Sequence, residues 1–480
     1  MKKAKADKNT GNTRRADSMN NKEDAIGHLM RRREFAESQV FCHPPLSTPA
    51  FSDATGIKAE IPAEVATLCK NESNCTVFMP DGTWFTTWGQ GSFEHAKDER
   101  IVFSTSSDQG RTWMAPRTIV ASTPTERRPY GAPFVVPGSG RIVLFFFACN
   151  QEAPWNSLEH NAGMLFYVWS DDAGETWSER IRINLPMRDI DSFPDRFHGW
   201  VNHPPHIMPT GEVILPLNHH SWNFVRRGAW QIDRAETSVL RLDNILTEQD
   251  PSRFNFTLLP AGPRGIRVNP LRHADNPSLL QLLQAFDGLP EESGSNFQEM
   301  TVIPLCNDRW LGVGRTFLGS PGYTISRDHG RNWTPVEPLR YGPGGEPIKH
   351  PMTMCPIAKT SDGRIVLLFT NNDGSQRGAK HVWDGDGRTR NPQWFVVGRE
   401  SPGETENAGL VFGQPRILAE VDDRSETNLK TGISMPHFFE RNGRFFVCYN
   451  INKEHILLDE IPASVLDEMT PTIALGGKRS

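Results

Sequence analysis

A chain of 480 residues with a net charge of −5 is too long for one ordinary core, and it carries no basic field that would make nucleic acid or an anionic membrane its main partner. Thirteen Trp, 40 Gly and 37 Pro suit a turn-rich all-β protein and argue against a helical bundle. The seven Cys are scattered and form no C-x-x-C pair, which excludes a zinc knuckle or a dithiol redox centre. They read as free thiols, with a Cys69–Cys75 bridge as the lesser reading.

Residues 1–20 are polar and charged and read as a disordered tail. Ile26, Leu29, Met30, Phe35 and Ala36 then recur at helical spacing, so residues 1–40 are expected to be a tail with a short amphipathic helix. The basic start (Lys2, Lys3, Lys5, Lys8) develops no apolar signal-peptide core, and no apolar run reaches the roughly 20 residues of a membrane span. As written, the sequence therefore reads as cytoplasmic.

From about residue 72 an apolar strand, a Gly/Asp/Asn turn and a second apolar strand recur. The pairs are Asn74–Met79 with Thr83–Trp88, Ala132–Val136 with Ile142–Ala148, and His206–Met208 with Val213–Leu217. Three more follow: Thr301–Leu305 with Trp310–Gly314, Met354–Ala358 with Ile365–Thr370, and His437–Glu440 with Phe445–Tyr449. In three of these units a third strand leads into Ser-x-Asp-x-Gly-x-(Thr/Asn)-Trp, at Ser106–Trp113, Ser170–Trp177 and Ser326–Trp333. The Asp can satisfy backbone N–H groups across a tight turn, Gly supplies a positive φ, and Trp lays an apolar ring beneath it. Six such units predict a six-bladed β-propeller over residues 41–470, closed by a strand from residues 41–60, with 471–480 as a tail. An insertion at 260–294 is expected to carry a short helix at Ser278–Phe286, and a second, Gly/Asp/Asn-rich insertion covers 371–392.

The three motifs resemble the Asp boxes (BNR repeats) of the sialidase, or neuraminidase, superfamily, on a divergent branch. Asp98–Ser104 leads into the first box. Glu299 with Arg315 is similar to the family's Glu and second carboxylate-binding Arg, and the region from Lys349-His350-Pro351 to Arg377 is loosely similar to that of the third Arg. The resemblance implies an exo-acting glycoside hydrolase that takes a terminal, acidic sugar from a glycan. Two positions depart from the family pattern: Glu60 precedes Ile61-Pro62 where the first Arg is expected, and Ile433 precedes Ser434-Met435-Pro436 where the nucleophilic Tyr is expected. A polysaccharide lyase using His and Arg, or a glycan-binding propeller without catalysis, therefore stays open.

In a propeller the starts of the innermost strands converge on the axis. Those positions are Asn74, Tyr130, His203 (with His206), Glu299, His350 and His437, a polar, His-rich ring. Glu299 is the first catalytic candidate, since a glycosidase needs a proton donor and a base or nucleophile flanking the anomeric carbon. Glu94, Asp98 and Glu99 occupy the loop that supplies the acid in the resembled family, with Asp98 favoured and Glu94 assigned to substrate binding. His203, His350 and His437 are candidates for proton transfer near neutral pH. Alternation sends His203 and His206 to opposite faces, which favours hydrogen-bonding imidazoles over a metal site. Arg315, Arg377 and Arg128, with Arg127 and Arg390, could pair with a substrate carboxylate. Tyr130, Trp88, Trp200 and Trp222 could stack on a sugar ring. No cofactor is called for, and the expected partner is a carbohydrate.

Overall fold

The computed structural model describes residues 58–61, 70–94, 96–154, 157–221, 234–285, 294–372, 390–401, 403–420 and 432–473. The amphipathic stretch at 23–38, Arg377 and Trp222 lie outside them. Six antiparallel sheets of four or five strands form the blades of a β-propeller. Their innermost strands are Lys70–Phe78, Gly131–Val135, His206–Ile207, Phe297–Pro304, Ile357–Lys359 and Ile433–Arg441. Lys58–Ile61 pairs with His455–Ile461, so the sixth blade takes its outer strand from the start of the chain and the ring closes. The insertion between the third and fourth blades carries a helix at Pro277–Ala285. Among the described residues no helix is long and apolar enough to cross a membrane.

The apolar cores lie between neighbouring blades, and the three Asp boxes seal some of those joints. In the first box Asp108 Oδ1 accepts the Thr112 N–H at 2.8 Å and the Ser106 hydroxyl at 2.8 Å, while Trp113 Nε1 donates to Gly110 O at 3.0 Å. The second and third boxes repeat the Asp contacts at Asp172 and Asp328. Both central residues of each turn have positive φ: Gln109 and Gly110, Ala173 and Gly174, His329 and Gly330. Trp113 packs edge-on to Trp84 within a cluster that includes Phe446 and Leu458 of the sixth blade, and Trp177 packs on Phe85 and Phe103 of the first.

A methyl group at Gly110 would lie 2.6 Å from Leu458 Cδ2 and 3.0 Å from Trp84, at φ +85°. Gly110→Ala should therefore cost about 1–3 kcal/mol of stability and lower the unfolding midpoint, without changing the pocket's ligand affinity. Thermal unfolding beside a glycan-binding titration would check this, and an unchanged midpoint would count against the joint-sealing role. Cys75 is a free, buried thiol, and Cys69, the other half of the lesser bridge reading, lies outside the described residues.

Candidate functional site

Three innermost strands carry a β-bulge at the same height: between Glu72 and Cys75, Gln298 and Thr301, and Ser434 and His437. Within each bulge one non-glycine residue is left-handed: Ser73 (φ 57°), Glu299 (φ 55°) and Met435 (φ 51°). Such a conformation costs on the order of 1–3 kcal/mol and persists only where the surroundings enforce it. All three side chains line one axial pocket of about 290 Å³. A second cavity of about 570 Å³ lies at the other end of the same strands, lined by Thr301–Leu305 and by His437 and Phe438.

Glu299 is held from every side. Arg315 Nη1 donates to its Oε2 at 3.1 Å and Asn202 Nδ2 to its Oε1 at 3.3 Å. Its own N–H donates to Asn218 Oδ1 at 2.7 Å, and His203 Nε2 lies 3.4 Å from its carbonyl oxygen. Arg390 lines the same wall, and burial followed by the nearby Arg315 charge pushes its pKa down.

The other wall is a buried charge cluster. Tyr130 stands beside Glu72; burial, then the charges of Glu72, Glu94 and Glu99, holds its phenol well above the usual range. Lys70 is in contact with Glu72, and Lys453 Nζ sits 3.0 Å from Glu72 Oε2 and 2.6 Å from Glu94 Oε1. Burial pulls the Lys453 ammonium down, but Glu72 and Glu94 outweigh it and the pKa rises. In the pocket's lining Arg127 pairs with Glu99 at 2.6 Å and donates to Asn161 at 2.6 Å. Trp200, its ring 5.0 Å from that of His220, and Phe147 supply an apolar face. Among the described residues the buried Ser434 Oγ, Gln298 Oε1 and Asn202 Oδ1 of this pocket have no hydrogen-bond partner. Buried polar atoms left open in a cavity are what a ligand's hydroxyl groups would satisfy.

The pocket thus brings together Glu299, Arg315, Tyr130 and Glu94, with Arg127 and Arg390. Asp98 lies elsewhere: it is exposed, and Ser92's hydrogen bonds overcome the upward push of burial to hold its carboxyl low. Arg128 turns away to Ala121 O (2.6 Å) and Glu126 (2.8 Å). Asn74 is buried but does not line the pocket. His203 and His437 face the second cavity, and His350 is enclosed between Thr353 and Thr370. Burial drives these imidazoles to about 3, 4 and 3 respectively, with His437 also lowering His203, which leaves them neutral and weakly basic near pH 7. His203 and His206 both line the second cavity, because the Pro204-Pro205 segment between them is not a strand and does not alternate. Trp88 is buried and donates to Asn71.

Glu72, Lys70 and Lys453 escaped the sequence reading. Glu72 lies just ahead of the expected strand start, and Lys453 sits in the hairpin turn of the sixth blade. Among the described residues no group of His, Cys, Asp and Glu could hold a metal ion.

The family model of a BNR repeat-like domain matches residues 82–257. A sialidase from Paraclostridium sordellii is 27% identical over 135 residues, which is 26% of this chain and 33% of that protein. The match therefore spans about a third of the curated relative's length. The NanB sialidase from Streptococcus pneumoniae superposes with a TM-score of 0.56 at 11% identity, over 88% of this chain and 72% of that one. A Dyadobacter fermentans protein of unknown function superposes at 0.53 with 14% identity, over 85% of this chain and all of that one. At these identities the superpositions speak for the fold. Together with the boxes and the closed ring, they make the chain a divergent sialidase-like propeller built on BNR repeats.

Proposed function

We propose that the chain is an exo-acting glycoside hydrolase that removes a terminal acidic sugar from a glycan. The observation that carries this reading is the joint presence, in one pocket, of a buried phenol backed by the Glu72 carboxylate and of two guanidinium groups beside a fixed carboxylate. Arg315 and Arg390 receive the sugar's carboxylate, for which their planar forks suit bidentate pairing. Glu299, set against Arg315, presents negative charge to the oxocarbenium-like transition state. Tyr130 is the nucleophile, activated by an adjacent base as such groups require. Its oxygen bonds to the anomeric carbon, its proton passes to Glu72, and the glycosidic bond breaks. Glu94 is ion-paired to Lys453 at the partly exposed pocket mouth, where a solvent water gives a proton to the departing oxygen. A water activated by Glu94 then releases the sugar, and Glu72 returns the proton to the phenol.

A panel of nitrophenyl glycosides of acidic and neutral sugars tests the reading, with absorbance of unsaturated uronates followed in parallel. Release of nitrophenol from an acidic glycoside alone is the expected result. Glu299→Gln should cut that rate by about 10²–10⁴-fold with the unfolding midpoint retained. Unsaturated product, or no turnover of any acidic glycoside, would overturn the hydrolase reading.

A further inference from the structure

We propose that Asn218 is a positioning residue for the pocket, a role that rests on Glu299 acting as proposed above. Asn218 lies on the second strand of the third blade, Val213–Ser221, and is almost fully buried. Its side chain reaches in two directions, across the joint to the fourth blade and within its own blade. Oδ1 accepts the Glu299 N–H at 2.7 Å, and Nδ2 donates to the Trp200 carbonyl at 3.3 Å. The Thr237 hydroxyl lies 3.3 Å from the same Oδ1 and 3.0 Å from the carbonyl of Phe297, two residues before Glu299. One amide therefore ties the bulge that carries the pocket's carboxylate to the strand that carries its tryptophan.

The need for such a tie follows from the backbone. At the bulge the register of Phe297–Pro304 against Trp310–Thr316 slips between Gln298 and Thr301. The Glu299 N–H is then lost to the sheet ladder and needs another acceptor, which Asn218 supplies. With that acceptor in place, the left-handed φ of 55° holds the carboxylate against Arg315 and Asn202. Without it, the bulge can relax to an ordinary extended conformation, and the carboxylate swings out of its productive position. A misplacement of about 1 Å at a reacting centre can cost about 10²-fold in rate. Because Arg315 sits on the neighbouring strand and Arg390 in a turn ahead of Gln393–Glu400, the loss should fall on kcat and leave KM nearly unchanged.

The test compares Asn218→Ala with Asn218→Asp in the full chain. The expected result for N218A is a fall in kcat of about ten- to a hundredfold with KM within about threefold. N218D keeps an oxygen that can accept the Glu299 N–H and should restore kcat to within about fivefold of wild type. Its added charge beside Glu299 should also move the acid limb of the pH–rate profile upward, which a merely structural role would not do. Equal kcat in N218A and wild type overturns the proposal, as does N218D falling as far as N218A with a native unfolding midpoint. If N218A does not fold, the N218D result decides alone. If the wild type turns over no glycoside, the hydrolase reading falls by itself, and a crystal structure of N218A decides the positioning role: a retained positive φ at residue 299 overturns it, and an extended one supports it.

Discussion

Tyr130→Phe is expected to lower kcat on an acidic glycoside by about 10²–10⁴-fold, the usual worth of one proton-handling group, with little change in KM or in the unfolding midpoint. The change removes only the hydroxyl, and the ring keeps its place between blades. The Glu72 carboxylate then has no phenol proton to accept but keeps Lys70 and Lys453 as counter-charges, so the cluster should stay folded. A sharper signature comes from the pair. Glu72→Gln should cost a similar factor, because the phenol is held neutral by burial and by its carboxylate neighbours and cannot give up its proton unaided. Residues that act as a unit are grossly non-additive, so the double variant should be no slower than the slower single one. Multiplicative losses would show that the two groups act separately. Full activity in Y130F would remove the phenol from the mechanism and return the nucleophile's role to Glu299.

Why Tyr130 could be picked out from the sequence while its partner could not is a matter of strand geometry. The boxes and the strand-turn-strand spacing depend on local chemistry, Ser and Asp closing a turn and Trp sealing it, so six blades were legible directly. Pocket membership was not, because it depends on bulges. Alternation runs back to Asn74, Thr301 and His437, where the pattern stops, and points to those positions as strand starts. The strands begin four residues earlier, at Lys70, Phe297 and Ile433, and the intervening bulge reverses which residues face the axis. Hence Ser73, Ser434 and Met435 reach the pocket with Glu72 buried behind Tyr130, whereas His437 faces the other end and Asn74 does not line it. Glu299 was caught because its polar neighbours Asn296 and Gln298 marked a strand start ahead of the apolar run. The Asp98 expectation differs for another reason: three carboxylates on one loop cannot be ranked without knowing that Lys453, from the sixth blade, draws Glu94 inward.

The same buried imidazoles that make poor catalysts at neutrality should make the fold acid-labile. In the unfolded chain they titrate near 6.5, whereas burial holds His203 and His350 to about 3 and His198 to about 4. Between these limits the unfolded state binds more protons than the folded one, so stability falls as pH falls from about 6.5 toward 4 and is flat in these groups above it. Each imidazole contributes about 1.4 kcal/mol per pH unit inside the window, or about 4 kcal/mol per unit for the three, against a total stability on the order of 5–15 kcal/mol. His206 and His437, both lowered to about 4 chiefly by burial, act in the same direction. Glu99 and Glu236, whose carboxyls burial pushes up, act in the opposite direction but are fewer. The box carboxylates Asp108 and Asp172, held to about 2 chiefly by Thr112 and Thr176, lose their contribution only as pH falls from 3.8 toward 2, too low to account for a loss at pH 5. Urea midpoints measured from pH 8 to pH 4 should therefore be level down to about pH 6.5 and drop steeply below it, and His350→Gln should shallow the drop. Midpoints level down to pH 4.5 would mean that these imidazoles are solvated or paired with carboxylates, contrary to the burial that encloses them.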